Sequence, residues 1–167
     1  MVMPKKQRVA VYLRVGGNGD VEAVCEAQKA HFADVAAENG DWELMGFYAD
    51  VGADSRTRPN LERLLADCLA GRVDLVVTKS LSRISRNIPV MMETVRALYY
   101  SKPPIGVYFE DIKLNTLEKN NFLLLNMFEA MLASEGASNK SMPRSFGAFL
   151  KMRKNLTDKN TEDSDDD

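Results

Sequence analysis

Short apolar runs alternate along the chain with longer segments whose apolar residues recur at helical spacing. The runs predict strands over 9–13, 42–49, 73–78 and 105–109. The segments between them predict helices over 21–39, 59–69 and 88–100. Pro59 near the start of one such helix and Gly71 just past its end are typical helix boundaries. This alternating order predicts a mostly parallel sheet with helices on both faces.

The chain changes character after the fourth run. Residues 121–132 are strongly apolar and predict a helix, whereas Pro143 predicts a break before a second, basic helix. From Asp158 the sequence is acidic, with too few apolar residues to order it. We therefore expect a domain, a basic helical segment and an acidic disordered tail, over 1–137, 138–155 and 156–167.

Composition narrows the functional classes. A length of 167 residues with 45% hydrophobic and 28% charged positions is typical of one globular domain. A signal peptide and a membrane-spanning run are both missing from the sequence, which predicts a cytoplasmic protein without membrane contact. One histidine, His31, and two distant cysteines, Cys25 and Cys68, argue against a zinc site, a disulfide framework and a Ser-His-Asp triad.

Four arginines follow the predicted strands or begin the helices after them: Arg14, Arg58, Arg83 and Arg86. Parallel sheets bring such positions to one edge, where guanidinium groups repel one another unless an anion lies between them. A phosphate suits the planar guanidinium. Spacing alone leaves two interpretations open, a phosphate site and dispersed, solvated arginines.

Several motifs carry a resemblance to one family across about residues 8–142. They are Tyr12-Leu13-Arg14-Val15-Gly16, Glu26-Ala27-Gln28, Asp50-Val51-Gly52, the segment from Arg58 to Leu65, and Lys79-Ser80-Leu81-Ser82-Arg83-Ile84-Ser85-Arg86-Asn87. With them the chain resembles the catalytic domain of serine site-specific recombinases of the resolvase/invertase type. Within that family it looks most like the branch of large serine integrases and transposon recombinases.

The resemblance implies a resolvase-like, flavodoxin-like three-layer α/β fold and DNA strand cleavage and exchange through a phosphoserine bond. It implies that position 16 carries the nucleophile and that Arg14, Arg58, Arg83 and Arg86 hold the scissile phosphate. Supporting roles fall to Tyr12, Gln28, Ser82 and Glu135, and contacts with the DNA backbone to Arg144, Lys151, Arg153 and Lys154. No metal or other cofactor is implied.

The sequence departs from the family at the nucleophile, because position 16 is glycine. Ser80, Ser82 and Ser85 lie nearby, but they match positions that the family already has, so we do not expect them to replace it. We expect an inactive recombinase domain that arose by natural divergence. Its expected partners are DNA, a second copy of the chain in a dimer or larger oligomer, or an active relative.

Two other functions stay open at this stage. The first is a non-enzymatic dimerisation or DNA-phosphate-binding module, or an accessory subunit, that associates through residues 121–135. The second is a flavodoxin-like domain that binds a small phosphate compound at the loop after Gly16. Acids at the strand ends, namely Asp50, Glu110 and Asp111, also permit a metal or acid–base site, although we expect them to fix nearby arginines instead.

Overall fold

A computed structural model describes residues 3–17, 19–52 and 57–134, with side chains as far as Met131. Its sheet has five strands in the order β2-β1-β3-β4-β5. The first four are parallel to one another, and β5 pairs antiparallel with β4. The strands are β1 (Gln7–Val15), β2 (Trp42–Val51), β3 (Leu75–Thr78), β4 (Gly106–Phe109) and β5 (Leu114–Asn115).

Helices connect the parallel strands and follow β5. They are α1 (Val21–Glu38), α2 (Pro59–Leu69), α3 (Leu81–Ile84), α4 (Ile88–Tyr99) and α5 (Asn121–Ser134), with a 3₁₀ turn over Glu110–Ile112. In the part of the chain that the structure describes, none of these helices is long and apolar enough to cross a membrane.

The α/β fold predicted from the sequence is confirmed, with most element boundaries within two residues of those expected. Two elements were not predicted. The segment 79–87, which we expected to be a loop leading into α4, contains the four-residue α3, and β5 has only two residues. Neither is long enough to show a periodic pattern. The predicted basic helix and acidic tail lie outside the described residues, so the domain boundaries stay a prediction.

Strand β1 lies inside the sheet and separates two apolar layers. Val9, Val11 and Leu13 point to one face, where they pack with α1 through Cys25 and Phe32. The alternate positions Ala10 and Tyr12 point to the other face, where α2, α3, α4 and α5 pack. Because side chains alternate along a strand, β1 holds both layers together, and the molecule has three layers with the sheet in the middle.

The carboxylate of Asp50 connects the end of β2 to the beginning of α2. Asp50 is only 3% exposed. Its Oδ1 accepts a hydrogen bond from the Asn60 backbone N–H at 3.0 Å, and its Oδ2 accepts from the Leu61 N–H at 3.0 Å and from the Tyr12 hydroxyl at 2.9 Å. The first N–H groups of a helix have no partner within the helix. Asp50, which precedes α2 in the sequence and lies at the end of β2, accepts from two of them and so caps α2.

Tyr12 is a suitable partner for this carboxylate because it stays protonated. Burial, together with the hydrogen bond to Asp50, raises the pKa of Tyr12 above its ordinary value. Its hydroxyl is therefore a donor throughout the physiological pH range. The bond joins β1 to its neighbour β2, the edge strand, on the face that carries α2.

Replacing Asp50→Ala should lower the free energy of unfolding by about 3 kcal/mol, because three buried donors lose their acceptor. Tyr12→Phe removes one of the three bonds and leaves the helix cap intact, so it should cost about 1 kcal/mol. Urea unfolding followed by circular dichroism measures both values. Equal losses in the two variants would contradict the assignment of Asp50 as the cap of α2.

Candidate functional site

Three of the four arginines predicted from the sequence lie side by side at the carboxyl edge of the sheet. Arg14 is the penultimate residue of β1, Arg58 immediately precedes α2, and Arg83 lies in α3. The Arg58 Nη1 donates to the Arg83 carbonyl at 2.7 Å and also to the carbonyl of Ile84. The Arg83 Nη1 in turn donates to the Arg14 carbonyl at 2.8 Å. These hydrogen bonds link the start of α2 to α3, and α3 to β1, as a chain of bonds.

The side chains of Arg58 and Arg83 bring two positive charges to this edge of the sheet. Among the described residues, neither side chain forms an ion pair with a carboxylate; their bonds go to neutral carbonyl groups. Each guanidinium has five N–H donors, of which these bonds use only a part. Both residues are half-buried. The arrangement therefore combines fixed geometry, remaining donors and positive charge, a combination that suits a phosphate.

Arg86 stands apart from this chain of bonds. It lies two residues after α3 and its side chain is exposed. Because it follows Arg83 closely in sequence, it belongs to the same edge of the sheet. Its exposure leaves it available to a large ligand that approaches from solvent.

Gly16, at the position where the resemblance leads us to expect a nucleophile, follows β1 directly and is exposed. A Cβ atom there would meet only the Gly52 carbonyl oxygen, at the ordinary contact distance of 3.6 Å, and the Gly16 backbone lies outside the left-handed region. The neighbouring Gly17 and Gly52 differ, with φ of +108° and +124°. The fold therefore requires glycine at 17 and 52 but accepts a side chain at 16.

A cleft of about 470 Å³ opens beside Arg14, between the ends of β1 and β2 and the start of α2. Its lining includes backbone and side-chain polar groups of Arg14, Ala49, Asp50, Val51, Gly52, Thr57, Pro59 and Asn60. The Gly52 N–H is bonded to the Val15 carbonyl at 2.9 Å, which holds the two strand ends together. The cleft gives a ligand at Arg14 room to extend past β2.

The supporting residues predicted from the sequence lie in different surroundings. The hydroxyl of Tyr12 is buried on Asp50, and the hydroxyl of Ser82 lies 3.0 Å from that of Ser80 in the α3 segment. Gln28 is half-buried on α1, one turn after the buried Cys25. Glu135, Arg144, Lys151, Arg153 and Lys154 lie outside the described residues.

Two of the acids at the strand ends, Asp50 and Glu110, accept hydrogen bonds from groups other than arginines. Asp50 accepts hydrogen bonds from Tyr12 and from the α2 backbone, and Glu110 pairs with His31 on α1 at 2.6 Å. The N-terminal amides of α2 and a histidine thus occupy these two carboxylates in the described part of the chain, and a role in fixing arginines stays a prediction. Only the Pro at the first position of α2, eight to nine residues after the strand end, could have suggested a helix start close to Asp50.

Sequence reasoning also missed a buried hydroxyl under the arginines. Thr78, the last residue of β3, is fully buried and donates to the Tyr12 carbonyl at 3.0 Å. A threonine at the end of an apolar run is ordinary in a strand, so the sequence carried no signal for this bond. The bond adds to the contacts between β1 and β3 just before the chain reaches α3.

Two solved structures are similar to this chain. One is the N-terminal catalytic domain of TP901-1 integrase, at 24% identity over 80% of this chain and 99% of that chain, with a TM-score of 0.59. The other is a resolvase family site-specific recombinase from Streptococcus pneumoniae, at 20% identity over 91% and 99%, also with a TM-score of 0.59. At these identities the likeness shows a shared fold.

A search of curated proteins finds no match to this chain. The model of the family described as "Resolvase, N terminal domain" matches residues 9–145, which runs from the third residue of β1 past the end of α5. Since this match covers most of the chain, the protein belongs to the family of resolvase N-terminal domains.

Proposed function

We propose that this chain is a recombinase catalytic domain that keeps the phosphate-binding arginines and lacks the nucleophile. It binds the phosphate backbone of DNA at the carboxyl edge of the sheet without cleaving the strand. The observation that carries the proposal is the chain of bonds from Arg58 to Arg83 to Arg14 next to Gly16. The family match and the solved recombinase domains with the same fold support it.

The chemistry explains why the glycine matters. Strand cleavage in this family requires an oxygen that attacks phosphorus and keeps the phosphate bonded to the protein while strands exchange. Gly16 has no side-chain atom, so no covalent intermediate forms there. The arginines stabilise negative charge by preorganised donors, a contribution that binding retains when the nucleophile is gone.

Introducing Gly16→Ser should create a covalent protein–DNA adduct, because the hydroxyl enters open space beside Arg14 without backbone strain. The measurement incubates the variant with a library of duplexes of randomised sequence, denatures the mixture and recovers DNA that stays bound to protein. Gly16→Ala is the matched control: it should fold equally well and form no adduct. An adduct in the parent chain would contradict the proposed inactivity. A folded, DNA-binding Gly16→Ser variant that forms none would contradict an otherwise intact site.

Replacing Arg86→Gln should weaken DNA binding without changing the free energy of unfolding, because this arginine is exposed. Loss of one phosphate contact should reduce the magnitude of the slope of log K against log salt concentration by about 0.9. Fluorescence anisotropy with a labelled duplex gives this slope. Lys102→Gln is the control, since Lys102 is exposed between α4 and β4 at the opposite edge of the sheet. An equal change in both variants would indicate general attraction to the chain's cations.

A specific observation favours a second function, association of the chain with a second copy through α5. Leu123 and Met127, one helical turn apart, are 58% and 43% exposed. The opposite side of α5 is fixed to the domain by buried Leu124, Leu125 and Phe128 and by the bond from Arg96 to Asn126. An anchored helix with exposed apolar residues on its outer side is a suitable association surface.

The double substitution Leu123→Glu, Met127→Glu should therefore yield a monomer at concentrations where the parent chain dimerises, because two charges would have to be buried. Sedimentation velocity over a range of protein concentrations measures the proportions of monomer and dimer. Val24→Glu on α1, where Val24 is 48% exposed, is the control and should leave the parent behaviour unchanged. A parent chain that stays monomeric throughout would remove this second function.

A further inference from the structure

A second cleft, unrelated to the arginines, lies on the face of the sheet that carries α1. It has a volume of about 350 Å³. Its lining comes from two distant parts of the chain: Gln7, Val35, Asn39, Asp41, Trp42, Tyr108, Asn115 and Glu118. Gln7 and Trp42 begin β1 and β2, whereas Arg14 and Asp50 lie near their ends, roughly 23 Å further along at the usual strand rise. We call this second cleft the aromatic groove.

Two aromatic rings from distant strands form part of the aromatic groove. Trp42 and Tyr108 meet edge to face, with centroids 5.5 Å apart and planes at 72°. Both side chains are half-buried, although large aromatic side chains usually lie in the core, so part of each remains accessible to solvent. An edge-to-face pair presents ring surface in two directions, and the negative face of an aromatic ring attracts cations.

The rim of the aromatic groove is polar and acidic. Asp41 and Glu118 are exposed carboxylates, and among the described residues neither forms an ion pair. The remaining polar lining residues are the amides of Gln7, Asn39 and Asn115, and the lining includes neither lysine nor arginine. Aromatic rings beside uncompensated carboxylates match an organic cation in both shape and charge.

Hydrogen bonds fix the wall that carries Asp41. The Asp41 N–H donates to Asn39 Oδ1 at 3.2 Å, and the Asp41 carbonyl accepts from the Gln7 N–H at 2.7 Å. The Trp42 N–H donates to the Asn39 carbonyl at 3.1 Å. The turn between α1 and β2 is therefore tied both to itself and to the start of β1.

The opposite wall is held just as firmly. The Leu117 N–H donates to Asn115 Oδ1 at 3.0 Å, and the Asn121 side chain donates to the Asn115 carbonyl at 2.7 Å. A Cβ atom on Gly106 would lie 2.9 Å from Leu117 Cγ and 2.8 Å from Leu75 Cδ1, so Gly106 lets this loop pack directly on the sheet. Both walls exist before a ligand arrives, which lowers the entropic cost of binding.

We propose that the aromatic groove binds an organic cation, a guanidinium or primary ammonium group, between the Trp42 and Tyr108 rings and the carboxylates of Asp41 and Glu118. The site is independent of the phosphate-binding edge, because it uses none of the same residues. It gives the domain a second contact, for a partner of opposite charge to DNA.

Trp42 is the only tryptophan of the chain, so its fluorescence reports binding directly. The probes are a neutral-ended hexapeptide with a central arginine, its citrulline counterpart, and 1,4-diaminobutane. We expect a saturable change with the arginine peptide and none with citrulline, which has the same shape without the charge. Binding of the peptide alone identifies a protein side chain as the source of the cation, and binding of the diamine as well identifies a free amine as a second source.

The double variant Asp41→Asn, Glu118→Gln should weaken the affinity at least about tenfold, because both carboxylates adjoin the cation. The control variant Glu22→Gln, Glu62→Gln removes the same charge from exposed positions on α1 and α2. It should change the affinity for the cation less than about twofold. Circular dichroism confirms that each variant is folded. No saturable change with either cation, an equal response to citrulline, or equal weakening in both variants would overturn the proposal.

Discussion

The buried carboxylate of Asp50 determines how the carboxyl edge of the sheet is assembled. It accepts from the Tyr12 hydroxyl in the middle of the sheet and from two amides at the start of α2, so it fixes where that helix begins. Arg58 is the residue immediately before this helix. Its guanidinium reaches the carbonyls of α3, and Arg83 of α3 reaches the carbonyl of Arg14. One buried carboxylate thus fixes the start of the helix that follows Arg58, and the bonds of Arg58 and Arg83 connect that helix start to α3 and β1.

The arginines of the site serve two purposes at once. Part of each guanidinium of Arg58 and Arg83 binds main-chain carbonyls, which positions α2, α3 and β1 relative to one another. The remaining N–H groups keep their charge and direction for a ligand. A lysine has donors but not this planar fork, so it could not hold the backbone and present further donors in a fixed direction. The same side chains therefore stabilise the site and supply it with hydrogen-bond donors.

Periodicity predicted the layers of this fold, and the order of the elements brought Arg14, Arg58 and Arg83 to one edge as expected, whereas Arg86 stands apart from their bonds. Val9 to Leu13 and the helical pattern of α1 and α2 are local signals, and parallel order brings the strand ends to one edge. The partners of Asp50 and Glu110 could not be predicted, because hydrogen-bond acceptors choose among groups that only the folded chain brings near. Likewise, Trp42 and Tyr108 are 66 positions apart, and no local pattern relates them.

Gly16 differs from the glycines around it in what the backbone requires of the position. The adjacent turns use glycine where the backbone is left-handed, at 17, 19 and 52, and these positions are closed to other residues. Residue 16 has ordinary backbone geometry and an open surrounding. A side chain at position 16 would therefore enter open space without a shift of the turns around it, so the fold leaves the choice of residue open at this position while it favours glycine at the neighbouring ones.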